Sequence, residues 1–212
     1  WLSFCNFQKK KNFLNNLDSK KTTQFVNPYS FLLDFSKLAP KKGIFVNDTG
    51  CNLTYFMQAF KSKYGQRIIS SWGNSPMGYS IAGGIGAKFA ATNNQVISII
   101  GDGSFLLNVQ ELQFINSHKL NNKIVVFDNK VLGNTKIGSE VYKIMSVGND
   151  QKSGYFSPDI KKITRSFNLD YFFLKNNLNQ IKIIKKFLKS KKGAVLHINI
   201  DPDHYLVEHS NI

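Results

Sequence analysis

The chain has 212 residues, enough for one large domain with a core of its own. Its 28 Lys and Arg against 13 Asp and Glu give a formal net charge of +15. The lysines are scattered, however, and no aromatic stacking platform or nucleic-acid motif accompanies them, so a solvated basic surface is the favoured reading over a nucleic-acid interface.

No run approaches the ~20 apolar residues that span a bilayer, and no apolar segment leads to a signal-peptide cleavage site. Cys5 and Cys51 are too few and too far apart for a disulfide framework or a zinc site, which makes a reducing cytoplasm the default compartment. The first residue is Trp1 rather than Met, so a processed piece or a fragment of a longer product is expected.

Residues 1–27 mix aromatic, Lys and Asn residues without a sustained period and read as a linker or N-terminal arm. Trp1, Phe4, Phe7 and Phe13 are expected to pack a short helix onto the domain that follows, residues 28–212. Asn27-Pro28 opens a helix with Phe31, Leu32, Phe35 and Leu38 on one face, and Pro40 stops it. Residues 43–47 form a short strand ending in Asp48-Thr49-Gly50, and a helix runs from Cys51 through Met57 to Phe60. Arg67-Ile68-Ile69 reads as another strand. The stretch SSWGNSPMGYSIAGGIGAKFA (70–90) is rich in small residues, as a loop and helix packed against a flat surface would be.

The most informative stretch is Val96 to Thr135. Val96, Ile97, Ile99 and Ile100 make a β-branched run suited to a buried parallel strand. Gly101-Asp102-Gly103 breaks it, and a helix is expected to begin near Ser104. Val109, Leu112, Gln113, Ile115 and Asn116 follow at mixed helical spacing, and residues 123–127 form a second apolar run. A right-handed crossover would bring both strand ends to one edge of the sheet. Asp102 and Asn129 then stand side by side at the carboxyl edge, where open α/β sheets bind ligands. One carboxylate, one amide oxygen and backbone carbonyls beside a helix N-terminus suit Mg²⁺ that already carries phosphates.

Downstream, residues 136–157 have few periodic signals and read as a long loop of the kind that forms lids. Pro158 starts a helix through Phe167, Asp170 to Leu174 is a strand, and Leu178 to Leu188 a helix burying Ile181, Ile184 and Leu188. Ala194 to Ile200 is the last strand, with His197 expected to be a packing residue rather than a catalyst. His118, His204 and His209 have no evident partner in the sequence. The fold class is α/β: three layers, doubly wound, a mostly parallel sheet with helices on both faces.

GDG, 24 residues, then Asp128-Asn129 resembles the thiamine diphosphate signature, which opens with GDG and closes with paired Asn. GDGSFLLNVQEL and the Leu132-Gly133 pair are similar to the acetolactate synthase group of that superfamily. The resemblance implies the C-terminal diphosphate-binding domain of such an enzyme, with thiamine diphosphate and Mg²⁺ as cofactors. It assigns Asp102, Asn129 and the Val131 carbonyl to the metal, and Gly101, Gly103, Ser104, Leu132 and Gly133 to the cofactor. Cys51 and Asn52 would meet the diphosphate. The Ser75 carbonyl and the Met77 N–H would meet the pyrimidine, with the Met77 side chain wedged between the two cofactor rings. Asn134 and Thr135 would face substrate.

Three departures stand out. Asp128 replaces the first Asn of the pair, Cys51-Asn52 stands where acetolactate synthases carry Gln-His, and Asn134-Thr135 is more polar than usual. The implied reaction is decarboxylation of a 2-keto acid with joining to an acceptor carbonyl. It needs a proton-relay Glu from a pyrimidine-binding domain, and Glu111, Glu140 and Glu208 match no such position. No catalytic residue is therefore expected in this chain. A pyrimidine-binding domain or subunit is the expected partner, in a homodimer or tetramer of the full enzyme. The alternatives are a non-ligating decarboxylase, a carboligase with a sugar-like or other polar acceptor, and a cofactor-free basic subunit that binds nucleic acid.

Overall fold

A computed structural model describes residues 1–8, 22–204 and 206. The short apolar runs become six strands: β1 (Ile44–Asn47), β2 (Arg67–Ser70), β3 (Val96–Gly101), β4 (Lys123–Asp128), β5 (Asp170–Leu174) and β6 (Ala194–Asn199). They form one sheet in the order β2-β1-β3-β4-β6-β5, every pair parallel. The inner strands β1, β3 and β4 are buried along nearly their whole length and carry the near-continuous apolar runs that burial on two faces demands. The edge strands β2 and β5 are partly exposed and correspondingly mixed.

Nine helices are described: α1 (Leu2–Gln8), α2 (Pro28–Leu38), α3 (Cys51–Ala59), α4 (Tyr79–Ala90), α5 (Asp102–Leu107), α6 (Glu111–Ser117), α7 (Gly133–Val141), α8 (Ile160–Ser166) and α9 (Gln180–Lys189). Side-chain alternation along each strand splits the core into two layers. Ile97, Ile99, Val125 and Phe127 join α2, α3 and α9 on one face. Ile100, Ile124 and Val126 join α4, α5, α6 and α8 on the other. Each fully buried Ile or Val of this kind contributes about 1.5–3 kcal/mol relative to exposure.

Helix α4 shows what its small residues are for. Ser98 of β3 donates its hydroxyl to the Ser80 carbonyl at 2.6 Å, and a Cβ on Gly84 would collide with that hydroxyl. Only glycine lets α4 lie this close to β1 and β3. The chain runs outward from β1 to β2, then returns to place β3 on the other side of β1 and continues to β4. The loops leaving β1 and β3 therefore diverge, and the crevice between them is the topological switch point.

Several boundaries differ from expectation. The helix after Gly101-Asp102-Gly103 begins at Asp102 and ends at Leu107; Asn108 leaves helical geometry, and its amide donates to the Gly78 carbonyl at 3.0 Å. A second helix, α6, then carries Leu112 and Ile115 inward. The stretch expected as loop from 136 starts inside α7, which continues to Val141. On α9 the buried positions are Gln180, Ile184 and Phe187, spaced by four and three, while Ile181 is exposed. Trp1, Phe4 and Phe7 do not seal onto the domain: each leaves half or more of its surface exposed (92%, 51% and 55%). Phe13, Glu208 and His209 lie outside the described residues. Among the described residues no helix is long and apolar enough to cross a membrane.

Candidate active site

At the switch point the loops after β1, β3 and β4 and the turn before α4 enclose a cleft of about 280 Å³. Every residue that the resemblance assigned to metal, cofactor or substrate lines it: Cys51, Asn52, Ser75, Met77, Gly101, Asp102, Gly103, Ser104, Asn129, Val131, Leu132, Gly133, Asn134 and Thr135. Tyr55, Phe127 and Ile200 add apolar lining that no motif marked. Two glycines allow the loops to meet. A Cβ on Gly133 would stand 2.6 Å from Cys51 Sγ, and one on Gly103 would stand 2.9 Å from Leu132 Cδ2 and 3.1 Å from the Tyr155 hydroxyl.

Asp102 is buried, at 2% exposure, in the first turn of α5. One head of the Asn129 carboxamide lies 3.3 Å from Asp102 Oδ1 and 2.9 Å from the Val131 carbonyl oxygen. With nitrogen at that head the amide donates to both oxygens. A half-turn of the amide brings its oxygen to the same point, and three oxygens then face one another at 2.9 and 3.3 Å. Neighbouring ligands of an octahedral Mg²⁺ ion, with metal–oxygen distances of ~2.1 Å, are separated by about 3 Å. Among the described residues no group of three or more His, Cys, Asp or Glu gathers as a metal cluster. With the amide oxygen turned in, the arrangement is a sparse, oxygen-only set, the kind that suits a cation arriving with phosphates rather than a zinc-type centre.

The other oxygens are held by the protein. Tyr155 donates its hydroxyl to Asp102 Oδ2 at 2.7 Å. Asp128 Oδ1 accepts from Ser157 at 2.8 Å, while Oδ2 pairs with His197 Nε2 at 2.8 Å. His197 Nδ1 in turn meets the Tyr171 hydroxyl at 2.8 Å. Burial, reinforced by the neighbouring Asp128 charge, pushes the Asp102 carboxyl up to about 7. Burial acts the same way on Asp128, but its bonds to His197 and Ser157 outweigh it and hold that carboxyl below its usual value. Burial and the Asp102 charge also raise the Tyr155 phenol, which stays protonated and donates.

Two further residues fix the walls. Asp48, buried at the end of β1, accepts from the Gly78 N–H at 3.1 Å and the Ser80 N–H at 2.9 Å. It clamps the start of α4, and with it Met77, to the sheet; burial raises its carboxyl against these bonds. Gly78 meets this clamp in the left-handed region, at φ 89°. Cys51 opens α3 and donates its thiol to Asn134 Oδ1 at 3.1 Å, tying the β1 loop to α7. Burial pushes that thiol up to about 11, so it is a neutral bridge rather than a nucleophile. Asn52 turns its carboxamide onto the Thr49 carbonyl at 2.6 Å, bracing its own loop.

The remaining histidines and acids lie elsewhere. His197 stands behind Asp128 rather than in the cleft, as a hydrogen-bonded link and not simply a packing residue. His118 stacks on Phe114 at 3.9 Å between ring centroids, away from the site. Glu111 and Glu140 do not line the cleft. Asp48, Tyr155 and Ser157 are the site residues that sequence reasoning did not assign, and the His197–Tyr171 pair stands behind them. Asp48 had one local signal, an acid between a strand end and a helix-opening Gly. The others reach the site from distant segments.

A doubly wound parallel sheet with a glycine-lined, oxygen-rich cleft at its switch point defines a class of phosphate-cofactor domains. The family profile of the thiamine pyrophosphate enzymes, C-terminal TPP binding domain, matches residues 48–198, and the chain belongs to that family. Within it the chain is similar to acetolactate synthase large subunits. It is 31% identical over 186 residues to the probable acetolactate synthase large subunit of Methanocaldococcus jannaschii. It is 30% identical over 181 residues to the acetolactate synthase large subunit of Porphyra purpurea, and 26% identical over 170 residues to the isozyme 2 large subunit of Escherichia coli (strain K12). These alignments cover 86%, 85% and 80% of this chain but 30%, 30% and 31% of the relatives. The chain spans about 30% of the length of the relatives it matches.

Proposed function

We propose that this chain holds the diphosphate and Mg²⁺ of thiamine diphosphate in an acetolactate synthase-like enzyme that acts on 2-keto acids. The observation that carries the reading is the convergence of Asp102 Oδ1, the Asn129 carboxamide and the Val131 carbonyl at 2.9 and 3.3 Å. Those three groups would hold the cation. The N–H groups of Gly103 and Ser104, in the first turn of α5, would donate to phosphate oxygens, with Leu132 and Gly133 at the start of α7 closing the other side. Ser75 and Met77, held in place by the Asp48 clamp, would position the pyrimidine end. Bound there, thiamine diphosphate supplies the carbanion chemistry of decarboxylation and carboligation, and the protein supplies position and electrostatics.

The proton-relay Glu belongs, in this reading, to a pyrimidine-binding domain of the full enzyme or of a partner subunit, within a homodimer or tetramer. Glu111 and Glu140 lying off the cleft agree with that division. A polar acceptor is the favoured second substrate. Cys51 engages Asn134 Oδ1, leaving the Asn134 amide N–H groups to meet an acceptor oxygen, with Thr135 beside them.

Calorimetry with thiamine diphosphate tests the reading. The chain alone is expected to bind it weakly and only with Mg²⁺, to lose it on adding EDTA, and to show no decarboxylase or ligase turnover. Asp102→Ala should abolish the metal-dependent binding, because it removes the one ionised ligand. Metal-independent binding, or none by the folded chain, would contradict the assignment.

A further inference from the structure

Four carboxylate oxygens stand at the ends of β3 and β4; hydroxyl and imidazole groups hold three of them, and the fourth, Asp102 Oδ1, faces the Asn129 carboxamide. Asp128 is engaged on both sides, by Ser157 and by His197. On Asp102, Tyr155 holds Oδ2 at 2.7 Å, and Oδ1 is the oxygen turned toward the Asn129 carboxamide at 3.3 Å. Tyr155 is not a wandering donor. Its own N–H donates to the Asp150 carbonyl at 2.8 Å, and the neighbouring Asn149 carbonyl accepts from the Leu132 N–H of the cleft at 2.7 Å. Its hydroxyl lies 3.1 Å from where a side chain on Gly103 would begin, so the bare backbone at 103 makes room for it.

The number of carboxylate oxygens a site can offer decides which cation it prefers. Ca²⁺ takes six to eight oxygens at about 2.3–2.6 Å and readily accepts both oxygens of one carboxylate. Mg²⁺ requires six at about 2.0–2.1 Å in near-ideal octahedral geometry and is served by one carboxylate oxygen plus phosphates and water. A phenol donor on Oδ2 holds that oxygen toward the protein and disfavours turning both oxygens to the metal.

We propose that Tyr155 sets the cation preference of this site: by holding Asp102 Oδ2 it confines Asp102 to one-oxygen coordination and so selects Mg²⁺ over Ca²⁺. The inference rests on the reading of Asp102, Asn129 and Val131 as the cation site, and it makes Tyr155 a positioning residue acting through Asp102. Tyr155→Phe keeps the ring and removes only the hydroxyl. Tyr171→Phe, which removes a hydroxyl from the far side of His197, is the matched control.

The experiment is calorimetric titration of thiamine diphosphate into the chain at saturating Mg²⁺ and, separately, at saturating Ca²⁺. Tyr155→Phe is expected to weaken Mg²⁺-supported binding by roughly 10- to 100-fold, the usual loss when the group orienting a metal ligand is removed. Ca²⁺-supported binding should weaken less, so the ratio between the two cations narrows, whereas Tyr171→Phe leaves the ratio unchanged. A general loosening of the site would instead weaken both cations equally, and an unchanged ratio in Tyr155→Phe overturns the inference while leaving the cation site standing. Failure of the unaltered chain to bind with either cation overturns the reading of the site and this inference with it.

Discussion

The β3–β4 edge and the 149–157 segment both end at Asp102, but they are built in different ways. The edge is made from residues that follow directly on strand ends: Asp102 after β3, Asn129 and Val131 after β4. Parallel pairing of Gly101 with Phe127 brings the two ends level, so the ligand set follows from sheet register alone. The 149–157 segment has no regular structure and contributes by reach, with Tyr155 and Ser157 placing single hydroxyls on two buried carboxylates. One region is set by the core beneath it. The other is set by a few hydrogen bonds, each with a net contribution of about 0.5–1.5 kcal/mol.

That contrast can be broken from either side, and the largest effect is expected beneath the edge. Ile99, fully buried in β3, should cost about 2–5 kcal/mol when changed to Ala, read as a shift of the denaturant midpoint. The metal-dependent affinity should fall with it, because β3 carries Asp102. Asp48→Ala strips the partners from the Gly78 and Ser80 N–H groups, at about 1–3 kcal/mol for each group left unpaired. Hydrogen exchange at those two amides should accelerate more than in the strands. Gly133→Ala pushes a methyl into Cys51 Sγ and is expected to cost about 1–3 kcal/mol in unfolding experiments. Ser157→Ala is the smallest change: a stability loss of about 0.5–1.5 kcal/mol, with faster exchange confined to 149–157. If Ser157→Ala instead lowered global stability as much as Ile99→Ala, the two regions would not be separable.

The same contrast explains what the sequence revealed. The sheet was legible because strands buried on both faces must be apolar runs, and Val96–Gly101 and Lys123–Asp128 are such runs. Asp102 and Asn129 were legible because they follow strand ends, and a parallel sheet puts all those ends on one side; the other assigned cleft residues were named by the family resemblance. The family profile over residues 48–198 and the acetolactate synthase relatives agree with the resemblance read from GDG and Asp128-Asn129. Tyr155, Ser157 and His197 were not legible, since nothing local in a loop Tyr or a strand His names a partner 53 or 69 residues away. The split between α5 and α6 was missed for a related reason. Neither Gly nor Pro marks it, and the break is held by Asn108 reaching back to Gly78. Ile181 was placed inward by apolar character, but the helix turns Gln180, Ile184 and Phe187 to the core instead.

The account's central claim is that three oxygens from two adjacent strand ends form one cation site. Anomalous diffraction from crystals of this chain grown with Mn²⁺ and thiamine diphosphate tests it most directly. The predicted result is a single strong peak bounded by Asp102 Oδ1, the Asn129 carboxamide oxygen and the Val131 carbonyl, with Tyr155 still on Asp102 Oδ2. A peak elsewhere, or an Asn129 amide that keeps its nitrogen toward Asp102 with cofactor bound, would contradict it.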